Sequence, residues 1–263
     1  MNIHFSDEKG PKSIVIFAHG YKGFKDFGAW SLIADQFAAK GCVFIRFNFS
    51  FNGVRPENEM EFDDLDAFGA NNYSIELADL KLVIDHSYQL ALEKDDWNQN
   101  DIAIIGHSRG GGMAILAAAQ HPKVKKLITW AAINSTYRGM PEGEELALWR
   151  ESGVRYVLNG RTKQKMPHYF QFYEDLIANQ ARLNIEENAK SLQIPWLIIH
   201  GDMDEAVALN EALQLQKWQP NAQLKIIKNG SHTFGIHHPW TKPILSPEMQ
   251  EVVDYTLLFI LSN

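Results

Sequence analysis

The chain has 263 residues, and 25 Lys+Arg against 32 Asp+Glu leave a formal net charge of −7, which excludes a polyanion binder that works through a basic surface. Hydrophobic residues make up 45% and charged residues 22%, enough apolar material for a sizeable core, so wholesale disorder is excluded as well. The longest apolar runs, at 13–18 and 196–199, fall far short of the ~20 residues that a membrane-spanning helix requires.

The amino-terminal stretch 1–9 has neither a basic n-region nor an apolar h-region, so the expectation is a soluble, cytoplasmic protein. A short remnant strand at 3–5 is followed by an apolar strand at 13–18. A helix is expected over 26–40, where Trp30, Ile33 and Phe37 recur at helical spacing and Gly41 marks the stop. The next strand, 42–47, contains Cys42, the only cysteine; one thiol excludes an internal disulfide and any zinc site built from cysteines. A helix over 74–93 carries Leu77, Leu80, Ile84 and Tyr88 on one stripe. A strand at 101–106 runs into a glycine-rich start at 109–112 and a helix to 120, followed by a strand at 126–130.

Residues 134–188 break the rhythm. They hold a polar stretch, a β-forming run around Asn159-Gly160 that suggests a type I′ hairpin, and an aromatic-rich helix near 168–179. The expectation is a cap inserted into one domain covering 1–263. Strands at 195–200 and 223–228 and helices at 206–218 and 247–261 complete the chain. Nearly unbroken apolar strands alternating with helices signify a mostly parallel twisted sheet of about six or seven strands, covered by helices on both faces.

Gly106-His107-Ser108-Arg109-Gly110 matches G-x-S-x-G between an expected strand and an expected helix. A turn that sharp strains the serine and leaves no room for a Cβ on its glycine neighbours. It lifts the hydroxyl above the carboxyl end of the sheet, at a helix amino terminus whose partial charge favours a developing anion. A serine hydroxyl needs a base, and the base needs an orienting acid. Asp202 or Asp204 could supply the acid in His200-Gly201-Asp202-Met203-Asp204-Glu205, and His232, His237 or His238 the base, again after a strand. Two backbone N–H groups, of Arg109 and of Tyr21 in the loop after the first long strand, are the candidates for stabilising an oxyanion. A metal site built from Asp202, His232, His237 and His238 matches no established ligand spacing, and the chemistry calls for no cofactor.

These motifs, with His19-Gly20-Tyr21 and Gly230-Ser231-His232-Thr233-Phe234-Gly235, resemble those of the α/β-hydrolase superfamily. Within it the chain is similar to the dienelactone-hydrolase-like and prolyl-oligopeptidase-like branch of serine hydrolases. The resemblance implies an α/β-hydrolase fold with a truncated amino-terminal edge and a triad of Ser108, Asp204 and His232, the second aspartate being favoured as the acid. It implies a structural part for His19. Serine rather than aspartate at the elbow points to acyl transfer, and the leading expectation is hydrolysis of carboxylic esters of small to medium acyl groups through an acyl-enzyme. Thioesters and short acyl-peptides are the alternatives within the same chemistry, and an inactive binding module is the alternative outside it.

The expected partner is a small acyl substrate, with neither nucleic acid nor membrane. Aromatic and sulfur-containing side chains of the insertion (Tyr137, Met140, Trp149, Met166, Tyr169, Phe170, Phe172, Tyr173), together with Trp240, are either ordinary packing or the lining of an apolar cleft. Trp149, Phe170, Tyr173 and Trp240 are the candidate substrate contacts. Arg46, Asn48 and Asn52 could bind a polar leaving group or shape a loop.

Overall fold

The computed structural model describes residues 1–55 and 62–262. Seven strands form the main sheet in the spatial order β1 (Asn2–His4), β3 (Cys42–Arg46), β2 (Lys12–Ala18), β4 (Trp97–His107), β5 (Val124–Trp130), β8 (Trp196–Gly201) and β9 (Gln223–Ile227). β1 runs antiparallel to β3, and every other pairing in this sheet is parallel. This is the mostly parallel sheet that the alternation of apolar strands and helices predicts, and it fits the α/β-hydrolase fold that the resemblance of the motifs implies.

The unbroken apolar strands follow from burial on both faces. Ile14 and Ile16 of β2 enter one core with Leu77, Leu80 and Ile84 of α3 (Tyr73–Leu92) and with Met113 and Leu116 of α4 (Arg109–Gln120). Val15 and Phe17, pointing the other way, join Ile33 and Phe37 of α1 (Trp30–Ala39) and Val252 and Ile260 of α9 (Pro247–Leu261). A period of two in a strand thus divides one run between two helical layers.

Several boundaries move for local reasons. α1 begins at Trp30 rather than at 26 because Gly28 has φ +58°, outside the helical region, and a Cβ there would lie 2.6 Å from Ile236 Cγ2. α8 (Leu209–Trp218) begins three residues later than expected, because Asp204 Oδ1 takes the N–H groups of Ala206 and Val207 at 2.9 and 2.8 Å.

Between β5 and β8 lie α5 (Gly143–Ser152), the hairpin β6 (Val154–Leu158) and β7 (Lys165–Tyr169), α6 (Gln171–Ala178) and α7 (Ile185–Ser191). The expected type I′ turn at Asn159-Gly160 is corrected. The connection spans 159–164, closed by Asn159 N–H donating to Gln164 O at 2.8 Å, while the Asn159 carboxamide accepts from Arg161 N at 3.1 Å; the positive φ falls on Lys163, not Gly160. An Asn side chain that bonds its own following backbone makes a wider turn than the dipeptide pattern suggests. β7 rests on α2 (Leu65–Ala70), where a Cβ on Gly69 would sit 3.0 Å from the Tyr169 ring, and α6 rests on α3 through Tyr73 and Phe172, whose rings are 4.9 Å apart. α7 tucks against α4 and α8. Among the described residues, no helix is long and apolar enough to cross a membrane.

Candidate active site

Ser108 stands at the N-cap of α4 with φ 57° and ψ −120°, a conformation that a side chain adopts only under constraint from its surroundings. The constraint is backbone crowding. A Cβ on Gly106 would approach Gly110 O to 2.3 Å, and one on Gly110 would approach Ala18 O to 2.3 Å and His19 O to 2.4 Å. Ser108 N–H donates to Trp130 O at 2.9 Å, and its carbonyl accepts from Gly111 N at 3.0 Å. Both backbone groups are therefore engaged, and the side chain projects at the helix start.

His232 Nε2 lies 3.0 Å from Ser108 Oγ, and His232 Nδ1 lies 2.9 Å from Asp204 Oδ2. Three residues from three strand ends thus meet in one hydrogen-bonded chain. The Asp204 side chain is fully enclosed. Burial alone would raise its pKa, but hydrogen bonds from His200 and His232 and the Val207 N–H hold the carboxyl far below the usual carboxylate range. His200, also fully buried, puts Nε2 at 2.8 Å from Val207 O and 3.3 Å from Asp204 Oδ2. Asp202 sits exposed in the turn, where its N–H donates to Ile227 O at 3.1 Å.

Two further histidines form the wall. His107 places Nε2 2.9 Å from His232 O, and its ring stands 4.9 Å from that of His232. Burial lowers its pKa to about 3, with the positive field of His232 as a second cause. His19 bridges Gly20 O at 3.0 Å and Phe49 N at 3.4 Å, and burial lowers its pKa to about 4 against that first hydrogen bond. His19 therefore shapes the loop between β2 and α1, as a neutral ring with Nδ1–H donating and Nε2 accepting.

That loop carries Tyr21 past the serine: a Cβ on Gly20 would lie only 2.9 Å from Ser108 Cβ. The N–H of Arg109 belongs to the first turn of α4, where no intrahelical acceptor exists. Among the described residues, neither it nor the N–H of Tyr21 donates to a protein acceptor. Tyr21 and Arg109 line the same cavity as Ser108. The Arg109 side chain has partners of its own. Its guanidinium lies over the Tyr21 ring at 4.1 Å and approaches Glu76 Oε1 at 3.4 Å, and Asn71 donates to the same oxygen at 2.7 Å.

Ser108 and His232 open into a cavity of about 410 Å³, in the range of small-ligand sites. Tyr73, Ile133, Met140, Val157 and Phe172 supply apolar wall; Lys22, Arg138 and Arg155 reach it from the loops and the hairpin. A smaller cavity of about 150 Å³, bounded by Phe27, Trp30 and Thr233, lies on the other side of the same pair.

The four aromatic candidates do not line either cavity. Trp149 is buried against Phe170 and Tyr173, with its Nε1–H donating to His168 O at 2.8 Å. Trp240 stands against His237 and donates to Ile244 O at 3.1 Å. Trp149, Phe170 and Tyr173 pack on one another within the insertion and Trp240 packs outside it; Met140 and Phe172 are the members of the aromatic and sulfur group that reach the main cavity. Arg46 is buried and donates to Lys25 O and Asp26, and Asn48 accepts from Lys25 N at 2.7 Å, so both brace the loop before α1. His238 accepts from Gly28 N at 3.0 Å.

Sequence reasoning missed Lys22, Tyr73, Arg155 and His168. His168 Nε2 lies 2.6 Å from the Tyr21 hydroxyl, and burial, reinforced by Arg109, Arg155 and Lys22, lowers its pKa to about 3. No local motif marks these residues, because they come from the loop after β2 (Lys22), from α3 (Tyr73) and from the hairpin (Arg155, His168), segments that meet only in the folded chain.

Residues 76–245 match the prolyl oligopeptidase family. The chain is 23% identical to monoacylglycerol lipase ABHD6 of Rattus norvegicus over 269 residues, covering 89% of this chain and 74% of that one. Among solved structures it is similar to Est1E of Butyrivibrio proteoclasticus with bound ferulic acid (TM-score 0.73, 19% identity, 99% of this chain and 93% of that one). It is also similar to dienelactone hydrolase of Anabaena variabilis (TM-score 0.63, 16% identity, 98% and 89%).

Proposed function

The chain belongs to the prolyl oligopeptidase family of α/β-hydrolases, and from that premise we propose that it hydrolyses carboxylic esters through an acyl-enzyme on Ser108. The observation that carries this reading is the continuous hydrogen-bonded chain from Ser108 Oγ through His232 to Asp204 at the mouth of a cavity. His232 takes the hydroxyl proton as Ser108 attacks the acyl carbonyl. Asp204 holds Nδ1–H, so that Nε2 is the free base, and stabilises the imidazolium.

The carbonyl oxygen gains charge between the N–H groups of Tyr21 and Arg109, each such donor being worth ~10²–10³ in turnover. His232 returns the proton to the leaving alcohol, and water repeats the sequence on the acyl-enzyme. Residues 134–188 act as the cap that shapes the acyl site. Esters are favoured over thioesters and peptides because the curated relative is named a lipase and because the cavity suits a small molecule.

A fluorophosphonate probe should label the protein, and Ser108→Ala should abolish labelling and lower ester turnover by at least ~10⁴-fold without altering the fold. Undiminished esterase activity in the purified variant refutes the assignment.

A further inference from the structure

Among the described residues, the main cavity is charged on one sign only. Lys22, Arg109, Arg138 and Arg155 line it together with Ser108 and His232, and no aspartate or glutamate is among its lining residues. Two of these cations are already matched. Arg109 faces Glu76 at 3.4 Å, and Arg138 Nε faces Glu211 Oε1 at 3.3 Å. Neither Lys22 nor Arg155 makes an ion pair with a carboxylate among the described residues, and only the more distant Glu145 attracts Arg155. Lys22 donates only to Leu158 O, at 3.4 Å, and lies over the Tyr21 ring at 4.9 Å. Arg155 donates through Nη2 to Gly139 O at 3.2 Å and rests over the Trp149 ring at 4.5 Å, while its Nε is buried without a hydrogen-bond acceptor.

Cations half removed from water and left unmatched cost stability unless an anion completes them. Their field is felt inside the cavity. Arg109, Arg155 and Lys22 all press the His168 imidazole toward its neutral form, and desolvation followed by Arg109 depresses Lys22 itself. Val157, Phe172 and Ile133 leave an apolar stretch on the same cavity wall, which suits a short hydrocarbon spacer.

Resting on the ester-hydrolase reading, we infer that the substrate is an ester that carries a carboxylate, held by Arg155 and Lys22 while its ester carbonyl lies at Ser108. The guanidinium fork matches a carboxylate with two parallel hydrogen bonds, and the ammonium adds a second charge. In place of the wholly apolar cleft that the sequence alone suggested, the cavity then takes an anionic group beyond an apolar spacer. Binding the charge in the cavity also orients the carbonyl, so the effect belongs in kcat/KM.

The test compares matched esters on the purified enzyme. p-Nitrophenyl hydrogen glutarate against p-nitrophenyl pentanoate places the charge on the acyl side; 3-acetoxypropanoate against propyl acetate places it on the alcohol side. In at least one pair the charged ester should be preferred by about tenfold or more in kcat/KM, as a charge-assisted hydrogen bond predicts. The preference should shrink as salt is raised. In Arg155→Met and in Lys22→Met the charged-to-neutral ratio should fall by about tenfold, and Arg155→Lys should retain part of it. Glutarate should inhibit the wild-type enzyme competitively, which needs no variant to fold.

Ratios near or below one for both pairs, or ratios unchanged in both Met variants, overturn the inference while esterase activity on the neutral members leaves the ester-hydrolase reading intact. Failure to cleave any of the four esters, with no fluorophosphonate labelling, overturns that reading instead.

Discussion

Acidification should unfold this protein through the histidines that wall its site. His19, His107 and His168 are each 6% exposed or less, and burial holds their pKa values at about 4, 3 and 3 against 6.5 in the unfolded chain. The sign follows from proton counting. Below pH 6.5 the unfolded chain binds protons that the native state refuses, so stability is full above 6.5 and is lost as pH falls toward the native values. Each ring withdraws about 1.4 kcal/mol per pH unit in that window, hence about 2 kcal/mol at pH 5. Three rings together approach about 6 kcal/mol, comparable with the whole stability of an ordinary domain.

Glu76 opposes them. Burial, the largest cause, raises its pKa against the attraction of Arg109 and the hydrogen bond from Asn71, so the native state gains a proton there first. The three rings give an uptake of about two to three protons on unfolding between pH 6 and 5, less up to about one proton released from Glu76. Urea denaturation at half-unit pH steps measures it directly, as the slope of unfolding free energy against pH. His168→Gln, which keeps a polar group facing the Tyr21 hydroxyl, should lower the slope by about one proton. An unfolding free energy that stays flat from pH 6.5 to 5 would refute the claim that these rings are neutral by burial.

Two substitutions probe the site itself. Asp204→Asn keeps an acceptor for the Ala206 and Val207 N–H groups but no longer selects the His232 tautomer with Nε2 free; kcat on a p-nitrophenyl ester should fall by ~10⁴-fold, and a loss under tenfold sinks the proposed role. Gly110→Ala drives a Cβ into the carbonyls of Ala18 and His19, so the melting temperature should drop sharply, by the equivalent of ~3 kcal/mol or more. A variant with wild-type melting and activity would show that the elbow is not crowded.

Much of the frame was readable in one dimension. Residues 13–18, 126–130 and 195–200 are largely apolar over the length of a strand, and the structure has strands there with small changes of bound. β4 extends back to Trp97, however, because its first residues pair with β2 across a register irregularity between Ser13 and Ile14 that no apolar run announces. α2 was missed because a helix of six residues has too few turns to show a period. In the site, Ser108, Asp204 and His232 were legible because each sits in a glycine-marked turn at a strand end, where spacing and composition speak together. The four candidate aromatics were misplaced because a residue's type says that it is buried, not against which face.

By itself the sequence determined what depends on neighbours a few positions apart: the double-sided burial of the strands, the steric demand for glycine at 106 and 110, and the strand-end turns that carry Ser108, Asp204 and His232. Only the tertiary structure decided what depends on segments far apart. It placed Arg155 and His168 of the hairpin in the cavity with the serine while Trp149 of α5 stays outside it, and among the described residues it left Lys22 and Arg155 without an ion-paired carboxylate while giving Glu76 to Arg109. Backbone sterics act over a few ångströms of contiguous chain, whereas the composition of a cavity is the sum of loops that meet only after the sheet has formed.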